Sequence, residues 1–141
     1  MQEALHFLTV RELADRLVTG EITSVDLTRM YLDRAEQLDP PPFDLPSEPR
    51  NDHDGKLSTM VTIARDHALE SAERADAELR AGRRRSILHG VPYGVKDLLD
   101  TDGIRTTWGS GIFRDRVPLR NAAVIDKLRE SGAVLMAKMS L

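Results

Sequence analysis

Apolar positions in the first forty residues recur at the spacing of helices. Thr9 followed by Glu12 forms a capping box, after which Leu13 and Leu17 share one helical face and Gly20 supplies a stop. A second helix is predicted to follow at once, with Thr23 or Ser24 as its cap and apolar positions at Leu27, Tyr31, Ala35 and Leu38. The chain therefore opens with two adjacent helices.

The middle of the chain changes composition twice. Residues 39–56 contain most of the prolines and few core-forming side chains, so we expect a polar, proline-rich loop or insertion. The run LSTMVTI after it suits a short strand. A further helix is then predicted, with a narrow stripe at Ala68, Ala72, Ala75 and Leu79 and a stop at Gly82.

The last third predicts a strand, a helix and a second strand. In VPYGVKD the apolar residues alternate as in a strand, Asn121 can cap the helix that Gly132 ends, and residues 133–137 form a short apolar run typical of a buried strand. A βαβ crossover of this kind places its strands parallel. Lys96 and Lys138 would then both stand at the carboxyl edge of the sheet, where open α/β sheets bind ligands.

Lys96 is the main candidate for chemistry. Pro92 and Gly94 share its strand face, so the backbone beside it is bare and the lysine is expected to be enclosed. Burial disfavours the charged form of a lysine, and a neutral amine is a base. The alternative is a lysine at a strand end whose ammonium simply reaches water.

Composition excludes several kinds of functional site but does not identify a function. The 141 residues carry a net charge of −3 and no cysteine, which excludes disulfides, thiolate metal sites and a cysteine nucleophile, and gives no reason to expect nucleic acid or membrane binding. The four histidines lack the spacing of zinc ligands, and no phosphate-binding glycine motif occurs. The run Arg83 to Arg85 suits a solvated helix end better than a phosphate site. Without a signal segment or a long apolar run, a cytoplasmic protein is expected.

Two stretches of the last third resemble the amidase signature family, the serine hydrolases that include one component of the glutamyl-tRNA(Gln) amidotransferase. They are LHGVPYGVKDLLDTDGIRTTWGS, residues 88–110, and NAAVIDKLRESGAVLMAKMSL, residues 121–141; weaker similarity covers residues 20–40. The resemblance implies an incomplete amidase-signature α/β/α fold, in which a helical N-terminal half precedes a βαβ unit of a mixed or parallel sheet. Residues 1–141 would be the N-terminal part of that domain.

The resemblance also implies a reaction and a set of site residues. Family members hydrolyse or transfer carboxamides with a nucleophilic serine, a bridging serine and a lysine that matches Lys96, without metal or organic cofactor. Lys138 and the loop residues Thr106, Thr107, Gly109 and Ser110 would support the site. The implied partners are a small-molecule amide, and either amidotransferase subunits or further copies of the chain.

One departure limits what this chain is expected to do. The glycine- and serine-rich segment that carries both catalytic serines in the family lies downstream of the matched region, and no such stretch occurs in these residues. Ser110 lacks the strand-turn-helix elbow of a nucleophile and is expected to be structural. The chain alone is therefore expected to be inactive. An amidase, a component of a tRNA-dependent amidotransferase, and a non-catalytic fragment or interaction module stay open as alternatives.

Smaller departures concern the surroundings of the two lysines. Ala137, Met139 and Ser140 stand beside Lys138 where the family has a glycine before the lysine and an asparagine after it. Tyr93 and Trp108 replace smaller apolar residues, and either a pocket wall or core filling would explain them.

Overall fold

The computed structural model describes residues 5–39 and 59–140, which form helices packed on a small mixed sheet. The predicted fold class is confirmed. The proline-rich loop expected at 39–56 lies outside the described residues except for Asp39. The elements are α1 Val10–Thr19, α2 Ser24–Leu38, β1 Met60–Ile63, α3 Arg65–Arg80, β2 Pro92–Lys96, α4 Ala123–Glu130 and β3 Val134–Met139, with 3-10 turns at Leu5–Phe7 and Gly111–Phe113.

Capping fixes the first two helices as the sequence predicts. The Thr9 side chain accepts from the Glu12 N–H, and the Glu12 carboxylate accepts from the Thr9 N–H at 2.7 Å. Gly20 ends α1 in the left-handed region at φ 73°, a conformation that glycine adopts without steric cost. Thr23 caps α2. Only two residues separate Gly20 from Thr23, which keeps the two helices adjacent.

Strand β3 is the centre of the sheet. It pairs in parallel with β2 on one side and antiparallel with β1 on the other, giving the order β1-β3-β2. Residues 134–138 of β3 are all buried, in agreement with the apolar run in the sequence. Helix α4 joins β2 to β3, so the predicted βαβ unit is confirmed.

The alanine stripe of α3 lets that helix approach the sheet closely. Ala68 and Ala72 are fully buried, and they share a core with Leu32 of α2 and with Val134 and Met136 of β3. Small side chains on this face leave room for the apolar residues of the strand. This core holds α2, α3 and the sheet together.

The start of α4 differs from the sequence prediction. Ala122, not Asn121, is the cap residue, and no side chain caps the helix. The Asn121 side chain instead accepts from the Asp102 N–H at 2.7 Å and donates to Asp126 at 2.9 Å. Asn121 thus ties the loop after β2 to the first turn of α4, a long-range partner that local sequence did not reveal.

Asp39 closes the interval between α2 and β1. Its side chain is buried, and its carboxylate accepts from the N–H groups of Thr59 and Met60 and from the Thr59 hydroxyl, the last two at 2.9 Å. A single carboxylate therefore joins the end of α2 to the start of β1.

His89 is a buried histidine at the junction of α3 and β2. Its Nδ1 accepts from the Arg85 N–H at 2.9 Å, and its Nε2 lies 3.3 Å from a Glu78 oxygen. A Cβ at Gly132 would lie 2.8 Å from the His89 ring, so Gly132 also provides the space that the ring needs. Burial lowers the pKa of His89 below its usual value of 6.5, against the opposing effect of the Glu78 charge.

This lowered pKa predicts a loss of stability in mild acid. Below pH 6.5 the unfolded chain protonates His89 more readily than the folded chain does, so the free energy of unfolding should fall as the pH decreases. Above pH 6.5 that contribution is fully present. Denaturant unfolding of wild type and of His89→Asn between pH 5 and pH 8 should show a weaker pH dependence in the variant.

His67 offers a matched control because its side chain is exposed on α3. His67→Asn should keep the wild-type pH dependence. An unchanged slope in His89→Asn would contradict the assignment, whatever its effect on absolute stability.

Candidate active site

The two lysines singled out in the sequence lie at the carboxyl ends of neighbouring parallel strands. Val95 pairs with Lys138, and Lys96 pairs with Met139. Because paired residues share a face and successive residues alternate, Lys96 and Lys138 occupy opposite faces of one sheet edge. The predicted common edge is confirmed.

The two lysines differ in burial, and Lys96 is not enclosed as the sequence suggested. Lys96 is exposed, whereas Lys138 is fully buried. The close approach expected at Gly94 is made by Met139, whose sulfur would lie 2.7 Å from a Cβ at that position. Met139 thus fills the space beside Gly94, but the Lys96 side chain stays exposed within the described residues. The enclosure of Lys96 expected from the sequence is therefore wrong for the described part of the chain.

The Lys138 ammonium organises the loop that follows β2. Its Nζ donates to the Leu99 carbonyl and, at 2.9 Å each, to the hydroxyls of Thr101 and Thr106. An ammonium has three protons, so these three acceptors satisfy it fully. Lys138 thus fixes residues 99–106 against the edge of the sheet.

Asp97 fastens the same loop from the other strand. Its backbone N–H donates to the Met139 carbonyl at 2.9 Å, and its buried carboxylate accepts from the N–H of Thr107 at 2.9 Å and from the Thr107 hydroxyl. The second oxygen of this carboxylate is buried and has no hydrogen-bond partner among the described residues. The residue directly after Lys96 is therefore held rigidly.

Electrostatics in this cluster couple the lysine to nearby carboxylates. Burial lowers the pKa of Lys138, and the negative charges of Asp97 and Asp100 oppose that shift. A buried ammonium is tolerated when its donors are satisfied and an opposite charge is close. Lys138 meets both conditions, and its three bonds suit a structural cation better than a free base.

The loop residues expected to support the site fall into two groups. Thr106 and Thr107 are fully buried and belong to the Lys138 and Asp97 networks. Gly109 takes a φ of 69°, and its N–H donates to the Thr107 hydroxyl at 3.2 Å. The Ser110 N–H donates to the Thr107 carbonyl at 3.0 Å, and its side chain makes no capping bond to the 3-10 turn that follows. The structure thus brings Thr106 and Thr107 to Lys138 and Asp97, while Gly109 and Ser110 shape the turn beyond.

A second cluster, which the sequence did not reveal, joins the segment before this turn to the segment after it. Arg116 forms an ion pair with Asp100, donating from both Nη atoms, and its guanidinium lies 4.0 Å from the centre of the Trp108 ring. The Arg116 side chain holds the pKa of Asp100 below its usual value. No spacing rule joins residues 16 positions apart in a loop, so only the three-dimensional structure could show this pair.

An apolar groove of about 600 Å³ lies elsewhere on the sheet. Tyr31 of α2, Met60 of β1 and Met136 of β3 contribute to its lining, together with Gly94 and Met139, but Lys96 does not. The groove reaches the strand face that carries Lys96 without containing the candidate base.

Two kinds of feature are absent from residues 5–39 and 59–140. Within those ranges, no helix combines the length and the apolar character that a membrane span requires. In the same ranges no three histidine or acidic side chains gather into a metal-binding group.

Comparisons with known proteins agree in sequence and in structure. A family model described as Amidase matches residues 50–141. The chain is 37% identical over 137 residues to the A subunit of the glutamyl-tRNA(Gln) amidotransferase of Heliobacterium modesticaldum, covering 97% of this chain and 25% of the relative. It is 35% identical over 140 residues to a putative amidase, AmiD, of Mycobacterium tuberculosis, covering 99% and 26%.

A solved structure gives the same result. The native peptide amidase of Stenotrophomonas maltophilia superposes with a TM-score of 0.79 at 30% identity, over 96% of this chain and 25% of that one. The chain thus spans about a quarter of the length of the proteins that it matches.

The Lys138 network predicts a large effect of removing its charge. Lys138→Met keeps the apolar stem but removes a donor from the Leu99 carbonyl and from the buried Thr101 and Thr106 hydroxyls, and it removes the cation near the Asp97 carboxylate. We expect the free energy of unfolding to fall by about 3 kcal/mol, measured by urea denaturation.

Lys127→Met is the matched control. Lys127 is exposed on α4 and pairs with Glu130 one helical turn away, so its loss should change stability by less than about 0.5 kcal/mol. Equal stabilities of the two variants would show that the buried network is not a structural support.

Proposed function

This chain belongs to the Amidase family, and from that premise we propose that it contributes the general base to an enzyme that cleaves carboxamides. The carrying observation is the position of Lys96. It ends β2 at the carboxyl edge of a parallel pair, it is exposed, and its side-chain amine makes no hydrogen bond or ion pair within the described residues. An amine in this state is available to a reacting group.

The surrounding contacts support a positioned base. Asp97, the next residue, is fixed to β3 through its backbone and to Thr107 through its carboxylate. Lys138 holds the loop against the same edge from the opposite face. Fixed neighbours reduce the freedom of the Lys96 backbone, and a base acts efficiently when its distance to the proton is set in advance.

The proposed reaction follows the family pattern. In its neutral form the Lys96 amine would accept a proton from a bridging serine, which takes one from the nucleophilic serine. That serine attacks the amide carbonyl, the carbon–nitrogen bond breaks, and ammonia leaves with a proton returned from Lys96. Water then cleaves the acyl-enzyme. Both serines would come from a part of the protein outside residues 1–141, so we expect this chain alone to be inactive.

A second candidate function is favoured by the relative of 37% identity, which is named as a component of an amidotransferase. In that case the ammonia would pass to an acceptor held by partner subunits. The same Lys96 chemistry would start the reaction. The two candidates differ in whether amide cleavage proceeds without partners.

The test is ammonia release from simple carboxamides. It should be run on the 141-residue chain, on the chain extended through the following part of its gene, and on Lys96→Ala in the extended form. We expect activity in the extended protein, reduced at least about 100-fold by the substitution, since a positioned base contributes that much or more.

Lys127→Ala, which removes an exposed lysine on α4, controls for loss of a surface charge and should keep full activity. Activity in the 141-residue chain itself would contradict the proposed source of the serines. Activity only after adding amidotransferase partners would favour the second candidate. Full activity of Lys96→Ala would exclude Lys96 as the base, and inactivity of the extended protein with and without partners would favour an interaction module.

A further inference from the structure

Trp108 adopts a backbone conformation that bulky residues avoid. Its φ is 53°, and it is the only residue other than glycine with a positive φ among residues 5–39 and 59–140. Strain of this kind persists only where the surrounding structure imposes it, and it concentrates at functional sites. A glycine would fit this position without strain, so the indole ring itself requires an explanation.

Three contacts hold the ring in place. Its Nε1–H donates to Asp100 at 3.0 Å, the Arg116 guanidinium lies 4.0 Å from the ring centre, and the Phe113 ring packs edge-on at 5.2 Å. The residue nevertheless stays 40% exposed. An aromatic ring that is clamped but not buried is a poor core residue and a good contact surface.

The segment that carries the clamp is hydrogen-bonded to the residue that follows the candidate base. Trp108 follows Thr107, which is bonded through its N–H and hydroxyl to Asp97, and Asp97 follows Lys96. The backbone positions of Trp108 and Lys96 are therefore linked through the Thr107–Asp97 hydrogen bonds.

The two charged side chains that contact this ring form an ion pair with each other. Asp100 and Arg116 neutralise each other through two hydrogen bonds, and the guanidinium already lies over the ring. A further cation would gain little from the ring, and an anion would meet a cation that is already paired. The surface accordingly suits a flat, uncharged group. Exposed apolar side chains at Ile112 and Phe113 in the same loop extend it.

We propose that Trp108 forms a specificity-determining wall that binds the aryl group of an aromatic carboxamide. This inference rests on the proposed function for the identity of the reacting group, and on the geometry of the clamp for the aryl preference.

The experiment compares benzamide with acetamide, two uncharged amides that differ in the aryl ring. Because the 141-residue chain has one tryptophan, its indole N–H gives a single ¹⁵N-correlated NMR signal that reports directly on Trp108. Saturable shifts of this signal by benzamide at concentrations where acetamide has no effect are the expected result. Ligand-observed NMR on the extended protein repeats the comparison.

Two variants separate binding from folding. Trp108→Gly removes the ring while relieving the positive φ, so it should fold and should bind benzamide about tenfold more weakly. Trp108→Phe keeps a ring and should retain part of the preference. Phe7→Ala removes an aromatic side chain that is 80% exposed and distant in sequence from Trp108, so this variant should bind benzamide like wild type.

The outcomes distinguish this inference from the proposed function. If benzamide binding depends on Trp108 but no ammonia is released, the aryl-binding role of Trp108 is supported and the proposed amide cleavage is contradicted. If ammonia is released equally from both amides, and at the same rate in Trp108→Gly, the proposed amide cleavage is supported and the aryl-binding role of Trp108 is contradicted. Absence of an aryl preference in both the chain and the extended protein would also overturn it.

Discussion

The fully buried ammonium of Lys138 is the interaction on which the candidate site depends. A cation without water must find protein acceptors, and those available to it are a carbonyl and two hydroxyls of one loop. Satisfying the charge therefore dictates the path of residues 99–106. Thr107 continues this loop and binds Asp97, the residue that follows Lys96. The need to satisfy a buried charge in β3 therefore restricts the backbone at the end of β2.

Much of this architecture was predictable because its causes are local. The capping box of α1, the alanine stripe of α3 and the apolar run of β3 each depend on residues close in sequence, and the structure confirms all three. The parallel pairing of β2 with β3 followed from the helix that crosses over between them, because such a crossover lets both strands run in the same direction. The position of β1 beside β3 did not follow, because antiparallel pairing between segments nearly eighty residues apart leaves no periodic signal.

The site was predictable in its location and less so in its contacts. The predicted topology placed Lys96 and Lys138 at the same sheet edge. It could not predict which lysine is buried, because burial of Lys138 depends on the loop acceptors that bind its Nζ. Alternation along β2 could not say which face would be covered. Likewise, the Asp100–Arg116 pair and the left-handed Trp108 arise from a loop folding back on itself, where sequence spacing carries little information.

The carboxylate of Asp39 has a consequence for the evolution of chain length. Because it binds the backbone at residues 59 and 60, the start of β1 is fixed by hydrogen bonds rather than by the number of residues that precede it. Closing a loop of twice the length costs only about 0.6 kcal/mol more in chain entropy. Insertions or deletions between the end of α2 and β1 can therefore accumulate while the register of the sheet, and with it the lysine-bearing edge, is preserved.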